Sequence, residues 1–477
     1  MIAHARFRLA SMRRNSPGAS RCRSWIALAT VLLFAGCVEN KPYRVKGIDD
    51  LDKYYSGQKE PSEFERVSGE RGYRISFVEF DDHGDFWDRR QLGDAARSIG
   101  RSDKPVVLVT YVHGWHHNAK DRPPGGKNPG DVQTFRCLLS ELAVSESTRN
   151  FAVHGVYIGW RGRLIEGPLD YLTFLDRKGA ATRIAGTPVT ETIFELIRQA
   201  RKKSESKCVL IGHSFGALLL EKAVAQAMTA RIIGDPKPHS QEPFRPPADL
   251  ILLVNSAAES IYAKEMTDMF AKIGYRDKDD QNRPLLVSIT SKGDTATGGW
   301  FPIGTFFPNL FAHRKYHWDY RTNQPANFDQ NAYLTTTPGH NAALFTHKID
   351  NGAAPPSALT PAAAARLPIK INQCDCATTE ARNPAFEQNL QHPSRDLVFA
   401  TSRKDDPNQF QWWRIDANQS DRRTPYWILQ VPKAIIPNHT PIFTPEGRAL
   451  MAALYRIANP KGAAEPRAFI QSPAKSD

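Results

Sequence analysis

The chain has 477 residues, about three times a common domain length, so a large domain with insertions or two domains is expected and a short scaffold is excluded. Hydrophobic residues make up 41%, aromatic residues 10% and charged residues 24%, a composition that can bury a sizeable core and excludes global disorder. The formal charge of +13, from 63 Lys+Arg against 50 Asp+Glu, raises nucleic acid or an anionic membrane as a partner, to be judged by where the charge sits.

Residues 1–24 hold six arginines (Arg6, Arg8, Arg13, Arg14, Arg21, Arg23) and no acid, and lead into the uncharged run WIALATVLLFA, Trp25 to Ala35. A basic segment followed by a short apolar one has the build of a secretory signal. The run is too short to span a bilayer, which takes about 20 apolar residues in a helix. It ends in Phe34-Ala35-Gly36-Cys37, which resembles the lipobox of bacterial lipoproteins, where small residues precede a lipidated cysteine that becomes the mature N-terminus; Phe34 departs from the usual Leu. The resemblance implies a signal peptide over 1–36, a lipid on Cys37 and a protein tethered at the bacterial cell envelope, periplasmic or outer-surface. Met12 is an alternative start. Removal of 36 residues with six positive charges lowers the net charge from +13 to +7. Of the six cysteines, Cys22 leaves with the signal and Cys137, Cys208, Cys374 and Cys376 remain. Cys374-Asp375-Cys376 lacks the spacing of a zinc or redox site.

A polar tether over 37–72 precedes the first strand. From there, short apolar runs alternate with longer amphipathic ones, the pattern of βα units around a mostly parallel sheet. The runs Arg74 to Phe80, Pro105 to Val112, Ala152 to Trp160, Lys207 to Ile211, Asp249 to Asn255, Pro284 to Thr290 and Tyr426 to Val431 predict strands. Most are continuous Val/Ile/Leu stretches, as expected of strands covered on both faces. Helices are predicted over Asp131 to Ser145, Pro188 to Lys203, Phe215 to Ala230, Ser260 to Ile273 and Pro445 to Ile457. Between the last two strands the interval is far too long for a loop, so a cap is expected over 295–420, its middle an Ala/Pro-rich run from Asn351 to Pro368. The core is therefore expected in two parts, 73–294 and 421–458, with a tail over 459–477. There is no internal repeat.

Gly212-His213-Ser214-Phe215-Gly216 follows a buried strand and opens a helix. That context is what G-x-S-x-G requires: serine on a strained strand-to-helix turn, with glycines letting the helix pack close. Here the chain resembles the α/β-hydrolase superfamily of serine esterases and lipases, over roughly residues 70 to 460. The resemblance implies an α/β-hydrolase fold with Ser214 as nucleophile. The turn His113-Gly114-Trp115 resembles the family's His-Gly turn after its third strand, which implies the backbone N–H groups of Trp115 and Phe215 as oxyanion donors. Family order places an acid and then a histidine after the serine. Asp294, just past the strand Pro284 to Thr290, occupies the acid's place, with Glu259 as the alternative. His439, after the last strand and before the closing helix, occupies the base's place, with His340 in reserve; His347 is the third downstream candidate.

His113, His116 and His117 also stand close together, but no H-E-x-x-H helix or Cys/His spacing accompanies them, so no metal and no cofactor are expected. Nucleic acid is disfavoured because no recognition motif occurs and the charge is scattered, with 11 Lys+Arg against 10 Asp+Glu over 295–420. The expected function is hydrolysis of carboxylic esters, small-molecule or lipid, through an acyl-enzyme. Trp300, Phe301, Phe306, Phe307 and Phe311 are candidates to line an acyl pocket or to bind the cap to the core. Amide hydrolysis, acyl transfer or a non-catalytic envelope lipoprotein are the alternatives.

Overall fold

The computed structural model describes residues 38–44, 65–66, 72–120, 130–147, 150–233, 246–273, 275–277, 283–302, 305, 316–319, 324–352, 397–402, 410–417, 424–459 and 469–471. The signal segment with Met12 and Cys37, residues 353–368 of the Ala/Pro-rich run, Cys374, Cys376, Phe306, Phe307, Phe311 and the side chain of Trp300 lie outside them.

The fold is α/β, with a mostly parallel central sheet flanked by helices. Its strands are β1 (Glu65–Arg66), β2 (Tyr73–Glu79), β3 (Val106–Val112), β4 (Ala152–Gly159), β5 (Lys207–His213), β6 (Leu250–Val254), β7 (Leu286–Ser291), β8 (His347–Asn351), β9 (Leu397–Ser402), β10 (Phe410–Ala417) and β11 (Tyr426–Val431). Their order is β1-β2-β4-β3-β5-β6-β7-β11-β8-β10-β9. Every pairing from β2 to β8 is parallel, and the outer pairings are antiparallel.

The helices are α1 (Arg89–Gly100), α2 (Asp131–Ser147), α3 (Phe174–Ile184), α4 (Thr187–Ala200), α5 (Phe215–Ile233), α6 (Ser260–Ile273), the short α7 (Gln330–Thr335) and α8 (Pro445–Ala458). The continuous apolar strands have their physical reason in two cores. Val106, Leu108 and Val112 of β3 pack beneath α1, α3, α4, α5 and α6, while Val107, Val109 and Tyr111 face α2 and α8. Successive side chains point to opposite faces, so a strand covered on both sides is apolar at most positions, with few polar exceptions such as Thr110 in β3. Helix ends are set locally as well: the Asp88 carboxylate accepts from Arg90 N–H at 2.8 Å ahead of α1, and the Thr444 hydroxyl accepts from Gly447 N–H at 2.9 Å ahead of α8.

The expected cap over 295–420 needs correcting, because three strands inside it, β8, β9 and β10, join the central sheet. β8 lies between β11 and β10. The reason is legible in its burial: His347 and Ile349 turn inward while Lys348, Asp350 and Asn351 face out. Such half-covered strands need only alternate apolar residues, so they lack the long runs that marked the inner strands. Of the described remainder, Tyr316–Asp319 and Gln324–Asn327 form a separate hairpin. α7 is fastened to α6, where the Ser260 hydroxyl donates to Tyr333 O at 3.0 Å. In the expected tail, Phe469–Gln471 pairs with Tyr275–Asp277. Among the described residues no helix is long and apolar enough to cross a membrane.

Candidate active site

From β3 the chain passes to β4 on one side, and from β5 to β6 on the other. A crevice therefore opens at the carboxyl ends of β3 and β5, the topological switch point where open α/β sheets place their ligands. β3 runs out into His113-Gly114-Trp115 and β5 into Ser214.

Ser214 has φ +56°, in the left-handed region that costs a non-glycine residue free energy. Its surroundings hold it there: its N–H donates to Val254 O at 3.0 Å, and its carbonyl accepts from Ala217 and Leu218 at 3.0 and 3.2 Å at the start of α5. The flanking glycines are sterically required. A Cβ on Gly212 would stand 2.7 Å from Ala217 Cα, and one on Gly216 2.2 Å from Val112 O. Gly114 is equally tight, with a Cβ position 2.7 Å from Ser214 Cβ.

The His113 ring fixes the peptide between Gly114 and Trp115. Its Nε2 accepts from Trp160 N–H at 3.0 Å, so its proton sits on Nδ1, which donates to Gly114 O at 2.9 Å. With the Gly114 carbonyl turned to the ring, the N–H of the same peptide, that of Trp115, points the opposite way. Among the described residues neither Trp115 N–H nor Phe215 N–H has an acceptor in the protein. Phe215 also opens α5, where the helix dipole favours negative charge.

His439 Nε2 lies 2.8 Å from Ser214 Oγ, and its Nδ1 lies 2.9 Å from Asp294 Oδ1. The carboxylate is fully covered, while about a fifth of the imidazole side chain is exposed. Asp294 Oδ1 accepts from Ala296 and Thr297 N–H, both at 3.0 Å, and Oδ2 from the Thr297 hydroxyl. Burial pushes this carboxyl up, but the adjoining His439 ring and the hydrogen bonds from His439 and Thr297 outweigh it and leave it below the ordinary carboxylate value. A hydroxyl on one imidazole nitrogen and a carboxylate on the other can pass the serine proton to the ring and stabilise the cation so formed.

The alternatives sit elsewhere. Glu259 is engaged by Lys178 Nζ at 2.6 Å. His340 is packed beside Gly298, whose Cβ position falls 2.6 Å from Nε2. His347 stacks on Trp427 with ring centroids 4.0 Å apart and accepts or donates at Thr346 Oγ1, 2.8 Å away. The histidines weighed as a metal trio turn to different partners: His113 to Trp160, His116 to within 2.8 Å of Asp170 without hydrogen-bond alignment, and His117 to 3.9 Å from Asp131. Among the described residues no group of three or more His, Cys, Asp or Glu side chains is arranged to hold a metal ion. Phe301 is fully buried, 6.4 Å from the Phe174 ring. Trp115, Phe174 and Phe215 form an aromatic wall, with ring centroids 5.1 to 6.0 Å apart.

Two residues that the sequence left unmarked hold the His439 loop. His213 Nε2–H donates to His439 O at 2.9 Å, and Asn255 Nδ2–H donates to the same carbonyl at 3.0 Å and to Asn438 O at 3.2 Å. Asn255 Oδ1 accepts from Ser291 N–H at 2.9 Å, tying β6, β7 and the loop together. Burial pushes the His213 ring down to about 3, which keeps it neutral with its proton on Nε2. The one available signal was position: each residue ends a strand at the carboxyl edge. Comparison of the chain with protein-family models, curated proteins and solved structures finds no match.

Proposed function

We propose that this protein is a serine hydrolase of carboxylic esters with an α/β-hydrolase fold, lipid-anchored at the cell envelope through Cys37. The carrying observation is the continuous chain Ser214 Oγ, His439, Asp294, set on a strained strand-to-helix turn at the switch point of the sheet. Ser214 Oγ attacks the ester carbonyl as His439 Nε2 takes its proton. The carbonyl oxygen, now negative, is received by the N–H groups of Trp115 and Phe215, each such donor worth about 2.7 to 4 kcal/mol of transition-state stabilisation. The tetrahedral centre collapses, the alkoxide leaves with the proton from His439, and the acyl group stays on Ser214. Water, deprotonated by the same ring, then attacks the acyl carbonyl; the acyl–Oγ bond breaks, Ser214 Oγ takes the proton back from His439, and the carboxylic acid departs. Asp294 keeps the ring in the tautomer that presents a bare Nε2 to the hydroxyl. The aromatic wall of Trp115 and Phe174 favours an apolar acyl group.

The test is a fluorophosphonate probe and p-nitrophenyl esters applied to the wild type and to Ser214→Ala. Labelling and turnover in the wild type, both lost in the variant, are expected. A wild type that neither takes the probe nor cleaves any ester would overturn the reading. The anchor is tested separately: Cys37→Ser is expected to move the protein from the membrane fraction to the soluble one.

A further inference from the structure

The geometry points to a membrane-docking face formed by Tyr171, Leu172 and Leu175, which lays the Ser214 mouth against the lipid surface to which Cys37 is tethered, so that the ester taken is that of a membrane lipid. The proposal rests on the hydrolase and anchor readings above and adds the source of the substrate.

Three independent observations carry it. First, among the described residues only four large apolar side chains are well exposed, and three of them fall within five residues: Tyr171 at 58%, Leu172 at 77% and Leu175 at 53%. Tyr171 and Leu172 lie on a 3-10 turn, Pro168–Thr173, that runs straight into α3, which carries Leu175. Clustered exposed apolar residues of this kind mark an interaction surface, whereas isolated ones do not. The segment is well founded: Arg177 of α3, itself buried, donates to both Asp82 oxygens at 3.0 Å and to Arg161 O at 2.9 Å.

Second, the patch adjoins the site. Tyr171 stands edge-on to Trp115 with centroids 5.8 Å apart, and Phe174 lies 5.1 Å from Phe215. An acyl chain leaving the surface past these rings would arrive at the oxyanion donors.

Third, the tether starts at the same rim. Val38 N–H donates to Leu164 O at 2.8 Å, and Arg161 donates to Val38 O at 2.9 Å. From there residues 38–44 follow the carboxyl edge of the sheet, where Tyr43 and Arg44 N–H donate to Glu79 at 2.8 and 2.9 Å and Arg44 Nε donates to Ala119 O at 2.8 Å. A lipid on Cys37 is thus attached one peptide from a pinned residue. Leu164 is separated from Tyr171 by a stretch that cannot exceed roughly 25 Å even fully extended. A covalent lipid alone holds a protein at a surface without orienting it; an apolar patch beside the attachment point supplies the second contact that does. The rim of the patch is polar, with Arg163 Nε on Asp170 at 3.0 Å and His116 against the same carboxylate.

The experiment uses the full acylated protein in phosphatidylethanolamine/phosphatidylglycerol vesicles carrying a fluorogenic diacyl lipid, with p-nitrophenyl acetate as a soluble ester. The Leu172→Ser/Leu175→Ser double variant replaces two solvent-exposed side chains and is expected to keep the melting temperature. It should cleave the soluble ester within twofold of wild type but the vesicle lipid at least tenfold more slowly. Equal loss on both esters, or no loss on the vesicle lipid, would overturn the docking face while leaving the hydrolase reading intact. Hydrogen exchange supplies a readout that does not depend on activity: amides of 168–175 should gain protection on wild-type vesicles and not in the double variant. Absence of that protection would sink the proposal even if every ester were cleaved.

Discussion

The Ser214 turn and the His439 loop meet at the Ser214 Oγ–His439 Nε2 hydrogen bond and at the one from His213 Nε2–H to His439 O, yet they are built on opposite principles. The turn is a local object: Gly212, Ser214 and Gly216 have their shape imposed by the backbones of β5, α5 and the end of β3, with would-be Cβ contacts of 2.2 to 2.7 Å. The loop has no such steric mould on His439. It hangs from side chains of other strands, His213 from β5, Asn255 beyond β6 and Ser291 from β7, whose hydroxyl donates to Ile436 O at 2.5 Å. Ser214 is therefore placed by sterics and His439 by distributed hydrogen bonds. Damage to the first should be abrupt, and damage to the second graded.

That contrast can be broken at several points. The largest effect is expected from Ser214→Ala and His439→Ala, each lowering kcat by at least about 10⁴-fold, while His340→Ala stays near wild type. Loss of activity in His340→Ala with none in His439→Ala would reverse the assignment of the base. Asp294→Asn should retain the fold and cost about 10⁴-fold in kcat, since an amide can hold the ring in the wrong tautomer. In the turn, Gly216→Ala should destabilise by more than about 3 kcal/mol, measured by denaturant unfolding, because its Cβ meets a backbone oxygen. Gly299→Ala, with nothing within 4 Å, is the control and should be near neutral.

The loop gives the smaller numbers. Asn255→Ala removes two donors from the Asn438 and His439 carbonyls and should lower kcat by about 10- to 100-fold with KM little changed. An unaltered kcat would show that the loop needs no such support.

A separate effect is expected on stability against pH. Burial lowers His113 and His347 to about 4, and His154 and His213 to about 3, from an ordinary 6.5. The unfolded chain therefore binds more protons below 6.5, and stability present above that pH is lost as it falls towards 4 and 3. The denaturant midpoint should drop between pH 7 and 5. His347→Phe, which keeps a ring on Trp427, should flatten the slope.

The parts visible in the sequence are those enforced over short range. The seven long apolar runs all appear as strands because both faces are covered, and the glycines of Gly212 to Gly216 announce a steric need. His439, expected from the chain order that the resemblance implies, is brought to Ser214 and Asp294, although 145 residues separate it from Asp294 in the bond they share. What stayed hidden depends on distance. His213 reads as the variable residue of a motif, and its partner carbonyl lies 226 positions away. The strands β8, β9 and β10 read as a cap because their core residues, Ile349, Phe399, Trp413 and Ile415, are interleaved with polar ones such as Lys348, Asp350, Arg414 and Asp416 or sit in short runs, without the long Val/Ile/Leu stretches of the inner strands. The amphipathic α1 leaves little trace in the sequence because its core-facing stripe is thin, chiefly Leu92, Ala95, Ala96 and Ile99 between polar neighbours.

The position of β11 between β7 and β8 bears on how the molecule comes into being. Both of those neighbours precede it in the chain, so the strand leading to His439 must insert into a gap between segments synthesised earlier. Parallel pairing at such sequence separation closes slowly. The Ser214 turn can therefore stand complete while its hydroxyl is still without a base, and reactivity toward a phosphonate becomes a clock for the final closure. In refolding, sheet signal should recover first and probe labelling last. A chain ending before Tyr426 should carry the serine without the reactivity.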